Sequence, residues 1–417
     1  MRILICSSEA PLPPTTGFRL VVEALVRELG RRHEIHILAL QMPDQEEAPY
    51  PDAELRLLPP RRAGLLTDAR DVLVALSKGW PLRPDGEAAL FRPALRKALE
   101  EVDPDVVHVT GGRLASVAGD LSGRATVLGA LDAWHLNVEA QAEVAPWSRR
   151  YVLREEARRV RRFQASEFGA FGRVVVVSEH DAAALRALNP ALHVEVIPNG
   201  VDSAYFAREP TAERDPASIV FSGVMSYPPN VITADFLARR IFPLVRRRRP
   251  DARLFIVGRE PDPAVQALAE LEGVEVTGEV ADMRPWLFRA SAYVCPMRAG
   301  TGIKNKLLEA MASEAPCVAT PLALGGLQVT PGIELLVGSD EQTLADHVLA
   351  VLEDDDLAAR LGRRACEYAR ANHDWAAVAR AHERVYEAVL AERADGRPTT
   401  DSGGSRRLVE GAEAEVT

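Results

Sequence analysis

The densest group of side chains suited to holding a charged ligand lies in Arg298-Ala-Gly-Thr-Gly-Ile-Lys-Asn-Lys-Leu-Leu-Glu-Ala-Met-Ala. This segment follows an apolar run at Tyr293–Cys295 and opens a helical pattern. Gly300 and Gly302 let the main chain turn tightly and approach a ligand closely. The helix start beyond them offers N–H groups and a partial positive charge, a combination that suits a diphosphate. Lys304 and Lys306 add formal charge, and Thr301 and Ile303 complete the loop. Glu309 stands seven residues past Gly302, about 10 Å along a helix of ~1.5 Å per residue. A carboxylate there accepts hydrogen bonds from two ribose hydroxyls. The plainer reading is a glycine turn, a solvated lysine pair and a helix-face glutamate. Position at the carboxyl end of a parallel strand favours the ligand, because ligands of such sheets bind there.

A second group lies in the first half of the chain. Asp132 and His135 follow the apolar run Thr126–Leu131, where either side chain would orient or deprotonate a hydroxyl. A lone histidine is more often structural. His108 ends another run and reads as a core or cleft-lining residue. Gly17 and Arg19 belong to a turn, Pro14-Thr-Thr-Gly-Phe-Arg, between the first strand and a helix. Arg259 follows the run Leu254–Val257, where Gly258-Arg259 also fits a simple strand-to-loop turn.

Short apolar runs alternating with amphipathic stretches must position these groups. The runs Arg2–Cys6, His33–Leu40, Val106–Thr110, Thr126–Leu131 and Arg173–Val177 predict strands, with helices at Leu20–Leu29 and Asp181–Leu188. Ser178 and Asp181 form a helix-capping pair. The pattern restarts with runs at Ser218–Phe221, Arg253–Val257, Val274–Thr277, Ala292–Cys295, Cys317–Thr320 and Leu335–Val337. Helices are predicted at Ala234–Arg247, Val265–Leu271, Lys304–Ala312 and Gln342–Leu352. Such βαβ repetition implies two Rossmann-like α/β domains in tandem, with parallel sheets. Residues 1–198 form the first and 199–374 the second, joined within Pro198–Pro216. A helix at 375–392 and a disordered tail at 393–417, rich in Gly, Ser, Glu and Arg, complete the expectation.

Composition narrows the class. The 417 residues are 47% hydrophobic and 26% charged, an ordinary soluble profile with room for two cores. A net charge of −10 gives no global case for nucleic-acid binding. Cys6, Cys295, Cys317 and Cys366 show no metal-ligand spacing, and three lie in apolar runs. They suit a reducing cytoplasm. The opening apolar run is too short for a secretory signal, and no run is long enough to span a membrane.

Three further motifs occur in order. Pro198-Asn-Gly-Val-Asp precedes Phe206, Gly278-Glu-Val-Ala-Asp-Met-Arg-Pro-Trp-Leu follows, and Leu308-Glu-Ala-Met-Ala precedes Pro316 and Val318. Together they make the chain resemble the retaining GT-B glycosyltransferases of family four, over roughly residues 1–390. The resemblance implies two Rossmann-like domains facing each other across a cleft, the first for the acceptor and the second for a nucleotide-sugar donor. It implies that residues 375–392 pack back toward the first domain. It also implies transfer to an acceptor hydroxyl with retention, without a metal or other cofactor. Positive side chains and a helix terminus then stabilise the leaving diphosphate. Glu309 matches the family's ribose ligand. Val280 lies in the loop that packs on the donor base, and Gly17 and Arg19 in the loop facing donor phosphates and acceptor. Asp132 fits the family's functional position slightly better than His135. The acceptor is a glycan, a lipid-linked species or a small metabolite, with no nucleic acid as partner.

The chain also departs from the family. Thr301 occupies the place of the first glutamate of the E-x7-E motif, which contacts the donor sugar. The loop Gly223–Asn230 lacks the usual arginine and lysine, so Lys304 or Lys306 is expected to supply that charge. Glu314 replaces a glycine expected in a left-handed conformation after the donor-site helix. Two alternatives remain, a donor-binding partner without activity and a GT-B nucleotide-sugar epimerase. Arg149, Arg150, Arg154, Arg158, Arg159, Arg161 and Arg162 share a predicted helix with Tyr151, Leu153, Val160 and Phe163. That helix either docks peripherally on the inner face of the membrane or is a solvated face neutralised by Glu155 and Glu156.

Overall fold

The computed structural model describes residues 1–14, 16–41, 50, 53–59, 75, 77, 79–81, 84–299 and 303–395. The chain divides into two compact units. One holds Met1–Pro198 together with the chain from Ala379 on, and the other holds Asn199–Val378.

The first unit is built on a seven-stranded sheet. Its strands are β1 (Arg2–Ser7), β2 (Glu34–Leu40), β3 (Glu54–Leu58), β4 (Val106–Thr110), β5 (Ala125–Leu131), β6 (Arg173–Val176) and β7 (Val194–Val196). They run parallel in the order β3-β2-β1-β4-β5-β6-β7. β1 lies between β2 and β4, with Ile3 opposite both Ile35 and Val106. Helices α1 (Gly17–Gly30), α2 (Pro84–Val102), α3 (Trp134–Val144), α4 (Trp147–Glu167) and α5 (Glu179–Leu188) connect the strands. Ser178 caps α5 by accepting from the Asp181 amide at 3.2 Å. Two strands lie outside the predicted runs. β3 is an edge strand with no fully buried residue, and β7 has only three residues, so neither carries a continuous apolar run.

The second unit repeats the plan. β8 (Ser218–Ser222), β9 (Arg253–Val257), β10 (Val274–Gly278), β11 (Ala292–Cys295), β12 (Cys317–Ala319) and β13 (Leu336–Val337) form a parallel sheet in the order β10-β9-β8-β11-β12-β13. The helix predicted at Ala234–Arg247 is instead α6 (Pro228–Phe236), a π turn at Leu237–Ile241, and α7 (Phe242–Arg248). Pro243 has no N–H to donate, and the wider turn accommodates that loss. The helix predicted at Val265–Leu271 is a short α8 (Pro263–Gln266) followed by a 3-10 turn. α9 (Arg284–Arg289), α10 (Asn305–Ala312), α11 (Pro321–Leu324) and α12 (Glu341–Glu353) follow. α13 (Asp355–His373) was not expected, although Asp354 caps it by accepting from the Leu357 amide at 2.9 Å.

The last described helix, α14 (Trp375–Ala394), runs past the end of the second unit. Its later part packs on the first unit's sheet. Tyr386 Oη meets His108 Nδ1 at 2.6 Å, and Arg173 pairs with Glu392. Glu383 accepts from Arg32 at 2.7 Å. The helix continues through Ala394, so Arg393 is helical, and the rest of the expected tail, 396–417, lies outside the described residues. Each sheet has its own core, with Phe91, Phe163 and Phe168 fully buried in the first and Phe221, Phe255 and Tyr293 in the second.

Candidate functional site

In the second unit, loops from the carboxyl ends of β8 and β11 meet at one lysine. β8 ends at Ser222 and delivers Gly223, where a Cβ would stand 2.7 Å from both Lys306 Nζ and Asn230 Nδ2. Gly258 is tighter still, because a Cβ there would stand 1.7 Å from the Gly223 carbonyl oxygen. The loops after β8 and β9 are also stitched together. The Gly223 amide donates to Val257 O at 3.0 Å, and the Met225 amide donates to Arg259 O at 2.9 Å. Close backbone approach therefore requires glycine at Gly258, while at Gly223 the side chains of Lys306 and Asn230 fill the space and a φ of +152° favours glycine.

Lys306 enters from α10. Its Nζ donates to Asn230 Oδ1 and lies 4.7 Å from the centre of the Phe221 ring. Asn230 is itself fixed, donating to Val224 O at 2.8 Å. Burial holds the Lys306 amine below its ordinary pKa. Lys304 sits at the N-cap of α10, makes no side-chain capping bond there, and is 9% exposed. Burial lowers its pKa to about 8. Glu309 follows on the same helix. Burial raises its carboxyl to about 7, and Lys306 draws it back. Two lysines at an uncapped helix start make this corner of the sheet a place for an anion.

The junction motif explains how α10 is seated. Asn199 Nδ2 donates to Asn305 Oδ1 at 3.3 Å, and the Asn199 carbonyl meets His373 Nδ1 at 3.0 Å. Gly200 packs so closely on Trp375 that a Cβ would fall 2.5 Å from the indole. At the other end of α10, Glu314 has φ of +57°, the left-handed conformation expected there. Its carbonyl accepts from Arg214 at 2.8 Å.

The remaining donor candidates are placed as follows. Ile303 is buried ahead of α10, and Val280, after β10, packs partly buried on the core. Arg259 lies 3.7 Å from Glu260, with its side chain about a third exposed. Gly300, Thr301 and Gly302 lie outside the described residues. Asn230 and Phe221 escape a sequence reading, and Asn199 is legible there only as part of the junction motif. The available signal was an asparagine in the first turn of a helix opened by two prolines, within the loop that lacks the family's arginine and lysine.

The first unit has its own cluster at the carboxyl end of β5. The pairing register shifts between Gly129 and Leu131, and Leu131 has φ of +67°. This bulge turns the chain outward at Asp132. Asn137 donates to Asp132 Oδ2 at 2.7 Å. Burial and the neighbouring Asp181 raise the Asp132 carboxyl to about 6. Asp181 in turn accepts from the Ala133 amide at 3.0 Å and from the Ser178 hydroxyl. The Arg113 guanidinium lies 5.4 Å from the centre of the Trp134 ring.

Two of the candidates are held by partners inside the first unit. His135 is 2% exposed, and Gln164 Oε1 binds both its Nδ1, at 2.8 Å, and its amide, at 3.1 Å. The histidine therefore fastens α3 to α4. Arg19 is 3% exposed, and its Nε donates to Glu9 at 2.9 Å. Its charge is compensated within the chain and braces the loop before α1. Gly17 begins that helix with no neighbour within 4 Å of an added Cβ, so internal packing does not require glycine there.

Residues 16–205 match the model for Glycosyltransferase Family 4, and residues 216–354 match Glycosyl transferases group 1. No curated protein matches the chain significantly in sequence. Among solved structures it is similar to sucrose-phosphate synthase from Thermosynechococcus elongatus, at 18% identity over 94% of this chain and 100% of that one, TM-score 0.71. It is also similar to Anabaena HepE in complex with UDP-glucose, at 15% identity over 94% of this chain and 100% of that one, TM-score 0.62. WaaG, a glycosyltransferase involved in lipopolysaccharide biosynthesis, aligns at 14% identity over 92% of this chain and 99% of that one, TM-score 0.63. At such identities the likeness speaks for the fold, two Rossmann-like domains of the GT-B type. The two family matches in tandem on that fold place the chain among the GT-B glycosyltransferases.

Proposed function

We propose that this glycosyltransferase moves a sugar from a nucleoside diphosphate donor to an acceptor hydroxyl, with retention of configuration and without a metal. The observation that supports it most is the Lys306 amine, held by Asn230 over Gly223 at the start of α10. One N–H of the ammonium is used by Asn230, and the others are open to a diphosphate. As the glycosidic bond breaks, charge grows on the leaving phosphate, and fixed positive groups stabilise that state more than the ground state. Lys304 and the helix start supply the same field. Glu309 holds the ribose hydroxyls in this reading, and Arg259 and Val280 line the nucleotide. Gly300, Thr301, Gly302 and Ile303 are assigned to donor binding in this reading, and Gly17 to the loop facing the donor phosphates and acceptor.

Asp132 is the group placed to take the acceptor proton, since a carboxyl near 6 is ionised at neutral pH yet basic enough to accept. UDP-sugars are the first donors to try, because HepE is described with UDP-glucose bound. The reading sets the protein in the cytoplasm, peripheral at the inner face of the membrane, with a glycan, lipid-linked or small-metabolite acceptor.

Thermal-shift screening against UDP, GDP, ADP and dTDP tests the donor half. A nucleotide at 100 times its Kd adds about 2.7 kcal/mol to the unit that binds it. No shift with any of the four, with or without EDTA, defeats the reading. Donor breakdown without acceptor, giving an isomerised nucleotide sugar, replaces transfer by epimerisation. An NMR assignment of the product anomer decides retention.

A further inference from the structure

We infer that the outward face of α4 is a docking surface for a bilayer containing anionic phospholipid. The three most exposed large apolar side chains among the described residues all lie on this helix: Trp147 at 86%, Tyr151 at 76% and Val152 at 59%. Leaving them in water costs free energy that nothing inside the unit recovers. Trp147, Tyr151, Arg154, Arg158 and Arg162 are spaced three or four residues apart and form one stripe. The stripe runs about 22 Å along the helix at ~1.5 Å per residue. The opposite face buries Ala157, Val160, Phe163 and Gln164 against the unit, which fixes the orientation of the stripe.

Charge along the helix is only partly compensated. Glu155 pairs with Arg158 at 3.5 Å and Arg159 at 3.2 Å, and Glu139 pairs with Arg161 at 2.6 Å. Arg150 turns back to the carbonyls of Glu143 and Ala145. Among the described residues, no carboxylate pairs with Arg149, Arg154 or Arg162. Glu155 therefore offsets part of the charge, Arg158 of the stripe included, and leaves Arg149, Arg154 and Arg162 for a partner. Trp147 and Tyr151 stand on the basic side of the helix, and only Phe163 of its aromatic residues is on the buried side.

This combination selects the occupant. Trp and Tyr rings settle at the depth of lipid headgroups, and arginine stems lie along the apolar boundary while their guanidinium groups reach phosphate. Anionic lipid attracts such a helix electrostatically. The chain as a whole carries −10, so an anionic surface repels most of it and favours approach by this face. The surface names the contact behind the proposed peripheral location, but its test uses neither donor nor acceptor, so it stands or falls apart from sugar transfer.

The experiment is co-sedimentation of the full chain with vesicles of phosphatidylcholine alone and of phosphatidylcholine mixed with phosphatidylglycerol. The protein should pellet with the mixed vesicles and remain in solution with the neutral ones, with binding lost in high salt. R154A/R158A/R162A should lower partitioning roughly a hundredfold, at about fivefold for each arginine near an anionic surface. W147A/Y151A should lower it about tenfold through lost apolar burial. Unchanged thermal unfolding shows that both variants are folded. Failure to pellet, equal pelleting with both vesicles, or wild-type partitioning of the arginine variant overturns the inference. So does a dimer in sedimentation velocity that W147A/Y151A dissolves while vesicle binding is absent. Tight binding of a single-stranded oligonucleotide, with no vesicle binding, assigns the stripe to nucleic acid and also overturns it.

Discussion

The carbonyl oxygen of Gly223 occupies the space where a side chain on Gly258 would begin, 1.7 Å from the position of its Cβ. The two loops that meet there carry Asn230 and Arg259, so this backbone contact sets the shape of the anion corner. Gly258→Ala is expected to force the loops apart and to destabilise the second unit by about 3 kcal/mol or more. Thermal unfolding of the variant checks it, and a wild-type melting profile would be incompatible with such packing.

Lys306→Ala removes the amine but leaves α10 intact. The donor KM should rise or kcat fall, with kcat/KM lower by well over tenfold, or roughly 1.4 kcal/mol for each factor of ten. Asn230→Ala should reproduce part of this loss, because the lysine keeps its charge and loses its anchor. Steady-state kinetics across donor concentrations separates the two, and an unchanged kcat/KM in Lys306→Ala removes that residue from the site.

Glu309 links the site to stability. Its carboxyl is raised by burial to about 7 from an ordinary carboxyl value of 4.5. The folded chain therefore binds this proton more tightly than the unfolded chain. The stabilisation is full below about 4.5 and is lost as pH rises through 7. Glu309→Gln, which stays neutral, should stabilise the protein at pH 8 by a few kcal/mol at most and flatten that part of the profile. The same change should weaken nucleotide binding. Melting temperatures measured across pH, with and without nucleotide, test both halves.

Asp132 should appear in the pH dependence of turnover. With its carboxyl near 6, kcat/KM is expected to rise through that pH as the base ionises. Asp132→Asn should abolish the rise and cost about 10²–10⁴-fold in rate. Asn137→Ala removes a bond to the charged form and should shift the inflection upward.

Glu314 holds a left-handed backbone with a side chain in place of the usual glycine. Glu314→Gly should add about 1 kcal/mol to the second unit. Denaturant unfolding measures this, and a loss of stability would indicate that the glutamate side chain earns its place.

Much of the architecture was legible because parallel strands buried on both faces read as unbroken apolar runs. β4, β9 and β11 have the predicted bounds. β3 and β7 lacked that signal, and the Ala234–Arg247 helix concealed the demand that Pro243 places on its hydrogen bonds. At the site, residue types that carry charge on a helix start were readable, as was the backbone need at Glu314. Tertiary partners were not. Arg19 looked available because Glu9 lies ten residues away in sequence, and His135 because Gln164 comes from the next helix. Asn230 gains its significance only when the loop after β8 meets a lysine from α10. On α4, periodicity located the helix, but which side held the aromatic rings depended on what the helix packs against.

The return of α14 to the first unit has a consequence for synthesis. Domains emerging from the ribosome fold as units, beginning at the N-terminus. Here the first unit stays unfinished while all of Asn199–Val378 is made, because Glu383, Tyr386 and Glu392 arrive last. Until then His108 lacks Tyr386 and Arg173 lacks Glu392, and the second unit matures inside an interruption of the first. A nascent chain halted before residue 379 should therefore hold a finished second unit behind a first one that is still open to proteolysis.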